Sequence, residues 1–200
     1  MEFFDAVWNG IVATSWVEWV TFVTGLIYVV LAAKKSIWCW LFALISSGLF
    51  VYLCIVGFLY LESILQSFYV IMAIVGYLSW NSQKDRPRDI QTWSVNQHLL
   101  NILLSGVVAL ILGFLFDHYT KQAAPYVDAF TTVFSLAATF MVTRKVIGNW
   151  IYWIVIDLVS IYLYASRGLE LLSVQMFIYT LLAAYGFISW RKELKLQIND

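Results

Sequence analysis

Residues 34–80 of this chain recur, without a gap, as residues 144–190. Lys35 aligns with Lys145, Trp40 with Trp150, Tyr52 with Tyr162 and Tyr69 with Tyr179. Gly76-Tyr-Leu-Ser-Trp80 aligns with Gly186-Phe-Ile-Ser-Trp190, and thirteen of the 47 pairs at offset 110 are identical. A general apolar bias produces Leu and Ile coincidences. It does not align two Trp, two Tyr, a Gly and a Lys in one register. A hydrophobic unit repeated at a fixed offset predicts two structural halves, with a site between them if the chain moves a solute.

The repeat lies in a membrane composition. The chain has 200 residues, 62% hydrophobic and 12% charged, with a mean hydropathy of +0.80. A water-soluble domain needs a charged exterior that this chain does not have. Apolar stretches long enough to cross a bilayer, about 20 residues each, fall at 15–33, 37–56, 59–80, 98–116, 127–143, 147–166 and 171–190. The expected fold is therefore all-α and integral to the membrane, a single transporter domain of seven transmembrane helices. Spans one to three form repeat one (about 15–80) and spans five to seven form repeat two (about 127–190). The fourth span (about 98–116) is a linker helix. Three crossings reverse the chain, and one more restores its direction. The two repeats are thus expected to be parallel, related by an axis along the membrane normal in a three-plus-one-plus-three arrangement. Pro87 and Pro125 fall in loops, so no span is kinked by proline. Gly48, Gly76, Gly106 and Gly186 lie inside spans and are expected at close helix contacts.

Basic residues orient the chain. With the N-terminus outside, the cytoplasmic segments hold Lys34, Lys35, Lys84, Arg86, Arg88, Arg144, Lys145, Arg191, Lys192 and Lys195, leaving only Lys121 and Arg167 outside. That places the C-terminus in the cytoplasm of a bacterial inner membrane, as a multi-pass protein. The charged run Lys84–Asp89 then serves as a solvated linker. The N-terminus is acidic (Glu2, Asp5) and lacks the basic region of a cleavable signal. Residues 3–12 are expected as an interfacial segment, or as the start of a longer first helix. Cys39 and Cys54 share the second span and are expected to pack as small apolar groups. Net charge is zero, and nothing points to nucleic acid. Nucleotide-binding loops, metal-ligand clusters and nucleophile–base sets are absent, which argues against an enzyme and against a cofactor.

Polar side chains at membrane depth carry the functional signal, because burying them is costly unless they find partners or line a wet cavity. Asp157 lies in the middle of the sixth span, where repeat one has Ser47. Trp150 and Trp153 share its helical face. An acid beside two indoles suits a flat aromatic cation. The third span carries Glu62, Gln66, Tyr69 and Tyr77; the seventh carries Tyr179 and Tyr185; the fifth begins with Asp128. Ser and Thr of the fifth span, Thr131 and Thr139 among them, are expected to bond back to their own helix. Trp38, Trp40, Trp80 and Trp190 sit at span ends and are expected in the interfacial aromatic belt.

Several of these motifs resemble the PnuC family of vitamin transporters. The resemblance rests on Asp128, Ser135, Thr143-Arg144-Lys145, Asn149-Trp150 with Trp153, Gly168-Leu-Glu, and Gly186 with Trp190, and in the first repeat on Leu65-Gln66, Gly76 and Trp80. It implies seven helices in the same three-plus-one-plus-three order, and facilitated diffusion of a vitamin that a cytosolic kinase then traps. Riboside-type members typically read Asn-x-Tyr-Gly-Trp-x-x-Trp at the end of the third helix. This chain has Ala73-Ile-Val-Gly-Tyr-Leu-Ser-Trp80 instead, and Asp157 stands where Asn is common. Fewer amides and an added acid favour thiamine, the substrate of the family's PnuT branch, over nicotinamide riboside as the alternative. A reading of another class is a substrate-binding membrane subunit that needs an ATPase partner. The expected partners are a small-molecule vitamin and the lipid bilayer, with a homo-oligomer possible.

Overall fold

Ser15 and Ser94 set two helix starts. The Ser15 hydroxyl accepts from the Glu18 N–H while the Glu18 carboxylate accepts from the Ser15 N–H, and Ser94 and Gln97 repeat the arrangement. Each such capping box satisfies two backbone donors that a helix leaves open. The computed structural model describes residues 2–57, 60–82, 90–120 and 124–199. Its helices are α1 (Glu2–Ala13), α2 (Trp16–Ala33), α3 (Cys39–Val56), α4 (Tyr60–Asn81), α5 (Val95–Tyr119), α6 (Pro125–Thr143), α7 (Asn149–Ser166) and α8 (Glu170–Asn199). Lys84, Arg86, Arg88 and Lys121, and with them the Lys84–Asp89 linker, lie outside the described residues.

Residues 3–12 form a helix of their own, because the Ser15 box begins α2 afresh just after α1 ends. The expected last span, 171–190, continues to Asn199 within α8, since the Arg, Lys, Glu, Leu and Gln that follow Trp190 are good helix formers and none is a breaker. Among the described residues, six helices are long and apolar enough to cross a membrane: α2 to α6 and α8. The remaining expected span, the sixth at 147–166, falls on the helix α7, in which Asn149, Asp157 and five Trp and Tyr residues dilute the Ile, Leu and Val.

The helices pack as a ring. α2 contacts α3, α3 contacts α4, α4 contacts α6, α6 contacts α7, α7 contacts α8, and α8 returns to α2; α5 lies against α6 and α1 against α8. The offset of 110 recurs in the geometry. α3 (Cys39–Val56) and α7 (Asn149–Ser166) differ by 110 at both ends. Lys35 and Lys145 both take the left-handed conformation, φ 52° and 54°, which costs a non-glycine residue about 1–2 kcal/mol. Each lysine reaches across to the other half. Lys35 pairs with Glu193 of α8, and the Lys145 ammonium stands 5.1 Å from the Trp80 ring centroid on α4.

Four indoles close this end of the ring. Trp40 meets Trp80 edge-on at 5.3 Å between ring centroids, and Trp150 meets Trp190 at 5.4 Å. Trp40, Trp80 and Trp190 are thus buried in one cluster with Trp150 rather than spread along a belt; of the four expected there, Trp38 alone is exposed. The sequence position of a Trp at a span end does not say which way the helix turns it. Trp190 donates to the carbonyls of Ala32 and Ala33 at 3.2 and 3.1 Å, and Ser189 donates to Ala33 at 3.2 Å, which joins α8 to α2. Ser79 donates to the Thr143 carbonyl at 3.1 Å and joins α4 to α6.

Of the four glycines expected at close contacts, Gly76 and Gly186 are. A Cβ on Gly76 would run into the Trp40 indole, and one on Gly186 into Trp150, whereas Gly48 and Gly106 have open space around them. Gly76→Ala and Gly186→Ala are therefore expected to destabilise the folded protein by about 1–3 kcal/mol each, the range for overpacking a core. Gly48→Ala and Gly106→Ala should leave it unchanged or slightly more stable. Thermal unfolding in detergent reads the difference. Equal midpoints for the two pairs would contradict the packing described.

Candidate functional site

The ring encloses a cavity of about 960 Å³. Its closed end is the indole cluster, where Trp40 and Trp150 contribute to the wall. It extends to residues near the N-terminal ends of α2 and α8, with Glu18, Gly57, Leu171 and, from α1, Val7 and Ile11 along its lining. Polar groups line it from six helices: Thr21 and Tyr28 of α2, Ser46 and Ser47 of α3, Gln66 and Tyr69 of α4, Thr139 of α6, Asp157 of α7, and Gln175 and Tyr179 of α8. Among the described residues, its charged lining is Glu18 and Asp157, with no Lys, Arg or His. A low-dielectric chamber holding carboxylates and no cation attracts positive charge.

Helical spacing places the α7 residues. Asp157, Trp153 and Trp150 fall on one face at steps of four and three residues, and all three reach the cavity. Asp157 is only 5% exposed, and none of the basic side chains among the described residues pairs with it. Gln66 and Tyr69 of α4 and Tyr179 of α8 line the same cavity. Thr131 and Thr139 donate to carbonyls of their own helix, at 3.0–3.2 and 2.8 Å.

Four of the ten candidate residues lie elsewhere. Tyr77 and Tyr185 are 46% and 47% exposed and do not line the cavity, since their helices turn them to the outside of the ring. Asp128 is held by Arg167, 2.9 Å away in the turn after α7, and ties α6 to that turn. Glu62 accepts a long hydrogen bond, 3.4 Å, from Gln66, and so touches a lining residue without lining the cavity itself.

Lining residues that the sequence does not pick out as candidates include Trp40, Glu18 and Gly25. Trp40 was assigned to the belt, although its alignment with Trp150 was the available signal. Glu18 is 110 residues from Asp128 and occupies the equivalent place at the start of its helix. Arg167 neutralises Asp128, but its equivalent in repeat one is Gly57, so Glu18 faces the cavity without that partner. Gly25 is the third: it leaves room for the Tyr179 hydroxyl.

Comparison with known proteins finds likenesses to a family model, to individual relatives and to a solved structure. The family model described as nicotinamide mononucleotide transporter matches residues 15–192. The nicotinamide riboside transporter PnuC of Neisseria mucosa is 29% identical, over 90% of this chain and 74% of that protein. The PnuC of Escherichia coli K12 is 25% identical, over 88% and 85%. The riboflavin/roseoflavin transporter RibM of Streptomyces davaonensis is 26% identical, over 88% and 84%. A crystal structure of the vitamin B3 transporter PnuC superposes with a TM-score of 0.75 at 26% identity, covering 96% of this chain and 90% of that one. These are transporters, not enzymes. With the family model spanning most of the chain and the same helical fold behind it, the protein belongs to the nicotinamide mononucleotide transporter family, the PnuC family whose motifs its repeats resemble.

Proposed function

We propose that this chain carries nicotinamide riboside across the bacterial inner membrane by facilitated diffusion, through the cavity between its two repeats. The observation that supports this most is the cavity lining: Glu18 and Asp157 as its charged residues among those described, two indoles on the Asp157 face, and amides and hydroxyls from α4 and α8. The pyridinium ring of nicotinamide riboside is a flat cation. Asp157 supplies its counter-charge, and Trp153 with Trp150 supplies aromatic faces that attract it by cation–π interaction. Gln66, Gln175, Tyr69 and Tyr179 are placed to meet ribose hydroxyls.

The relatives favour this substrate over thiamine. Those compared carry names for nicotinamide riboside or riboflavin, and the departures at 73–80 that suggested thiamine find no counterpart in those names. In this reading α7 crosses the membrane with the six more apolar helices. Its length matches α3, and its polar residues Asn149 and Asp157 turn inward. The N-terminus is outside, the C-terminus is cytoplasmic, and alternating access comes from the two parallel repeats rocking against each other.

Losing a charge-assisted bond in a partly wet site costs about 1–3 kcal/mol, which at about 1.4 kcal/mol per tenfold is roughly 5- to 150-fold in affinity. Asp157→Asn is expected to weaken nicotinamide riboside binding by that factor in calorimetry on folded protein, and to leave binding of an uncharged vitamin such as riboflavin unchanged where it occurs. Wild-type affinity for nicotinamide riboside in the variant would remove Asp157 from the site. Tighter binding of thiamine than of nicotinamide riboside by the wild type would restore the thiamine reading.

A further inference from the structure

The two halves of the ring differ at one helix crossing that borders the cavity. Tyr69 of α4 and Tyr179 of α8 are 110 residues apart, and both line the chamber. Across its seam Tyr69 meets Ser135 of α6, a residue that is itself buried. The position 110 residues before Ser135 is Gly25 of α2. Repeat one therefore offers a bare Cα where repeat two offers a hydroxyl. The Tyr179 phenol occupies the notch so left: a Cβ on Gly25 would lie 2.5 Å from Tyr179 Oη and 3.3 Å from Ser46 Oγ. No real Cβ stands at the shorter distance, so any side chain at 25 displaces the phenol. Gly25 does not hold a left-handed conformation, and glycine inside a helix is less favourable than alanine by about 1 kcal/mol. What it contributes is space.

Tyr179 finds its polar company on the cavity side. Gln175, one turn earlier on α8, meets its hydroxyl, and Asp157 is within electrostatic reach. We infer that Gly25 is a positioning residue for the substrate: it seats the Tyr179 phenol against α2, which holds the hydroxyl at the cavity wall between Gln175 and Asp157 as a ligand-contacting group. Tyr69, engaged by Ser135, braces the opposite seam. The inference rests on the cavity being the substrate site proposed above, and it adds a determinant of specificity that acts through Tyr179.

A double-mutant cycle tests it. Full-length wild type, Gly25→Ala, Tyr179→Phe and the double variant are titrated with nicotinamide riboside by calorimetry, with melting temperatures alongside. Gly25→Ala should weaken binding about tenfold or more, and Tyr179→Phe about three- to tenfold. The double variant should match Tyr179→Phe alone, because the clashing oxygen is gone: Ser46 Oγ at 3.3 Å need give only a few tenths of an ångström, and Tyr179 Cζ lies at an ordinary 3.7 Å from the new Cβ. Such a rescue marks coupling through the phenol, since independent sites add. Wild-type affinity in Gly25→Ala overturns the inference, as does a lower melting temperature with unchanged affinity, or a double variant whose loss is the product of the two singles. Should Gly25→Ala fail to fold, unchanged affinity in Tyr179→Phe overturns it equally. A wild type that binds no nicotinamide riboside instead overturns the reading of the cavity, and the inference falls with it.

Discussion

The structure hangs on two indoles seated on two glycines. In a bilayer, helices gain little from hiding apolar surface from one another, so close packing and hydrogen bonds hold them together. Trp40 fills the space over Gly76, and Trp150 fills the space over Gly186. Each of these indoles meets a second Trp edge-on, which shuts one end of the ring. The chamber above has a floor because of this closure. The two seams beside it are not equally bonded. Trp190 gives its N–H to two carbonyls of α2, while the equivalent Trp80 N–H is buried with no hydrogen-bond partner among the described residues.

The offset of 110 recurs in the frame, and departures from it mark the candidate site. Asp157 stands where repeat one has Ser47, so one wall of the cavity carries an acid. Glu18 and Asp128 are equivalent, but Arg167 pairs with the second and Gly57 replaces it near the first. Gly25 and Ser135 are equivalent, and Tyr179 and Tyr69 find different surroundings as a result. All these differences leave polar or acidic groups facing the chamber. An asymmetric lining of this kind offers the proposed cation one pose, whereas two identical half-sites would offer it two.

Much of this was legible in the chain. The repeat could be read because aromatic and glycine identities survive at one offset, and Trp150, Trp153 and Asp157 could be grouped because a helix returns to the same face every three or four residues. The inward side of a helix was harder to read. A span apolar all round gives no periodic signal, so Tyr77 and Tyr185 could not be told from Tyr69 and Tyr179, nor Gly48 and Gly106 from Gly76 and Gly186. The end of α8 was hidden for a different reason: a polar segment ends a membrane span without ending a helix. Glu18 was legible only through its equivalence to Asp128, and Gly57, a residue with no side chain, gave no sign that the Arg167 pairing lacks a counterpart in repeat one.

Uptake into sealed vesicles that contain this protein alone, with labelled nicotinamide riboside outside and no ATP, is the most direct measurement. Facilitated diffusion predicts that the vitamin enters faster than in empty vesicles and stops when inside and outside concentrations are equal. The absence of uptake without an added ATPase would contradict it, and so would accumulation above equilibrium driven by a proton or sodium gradient.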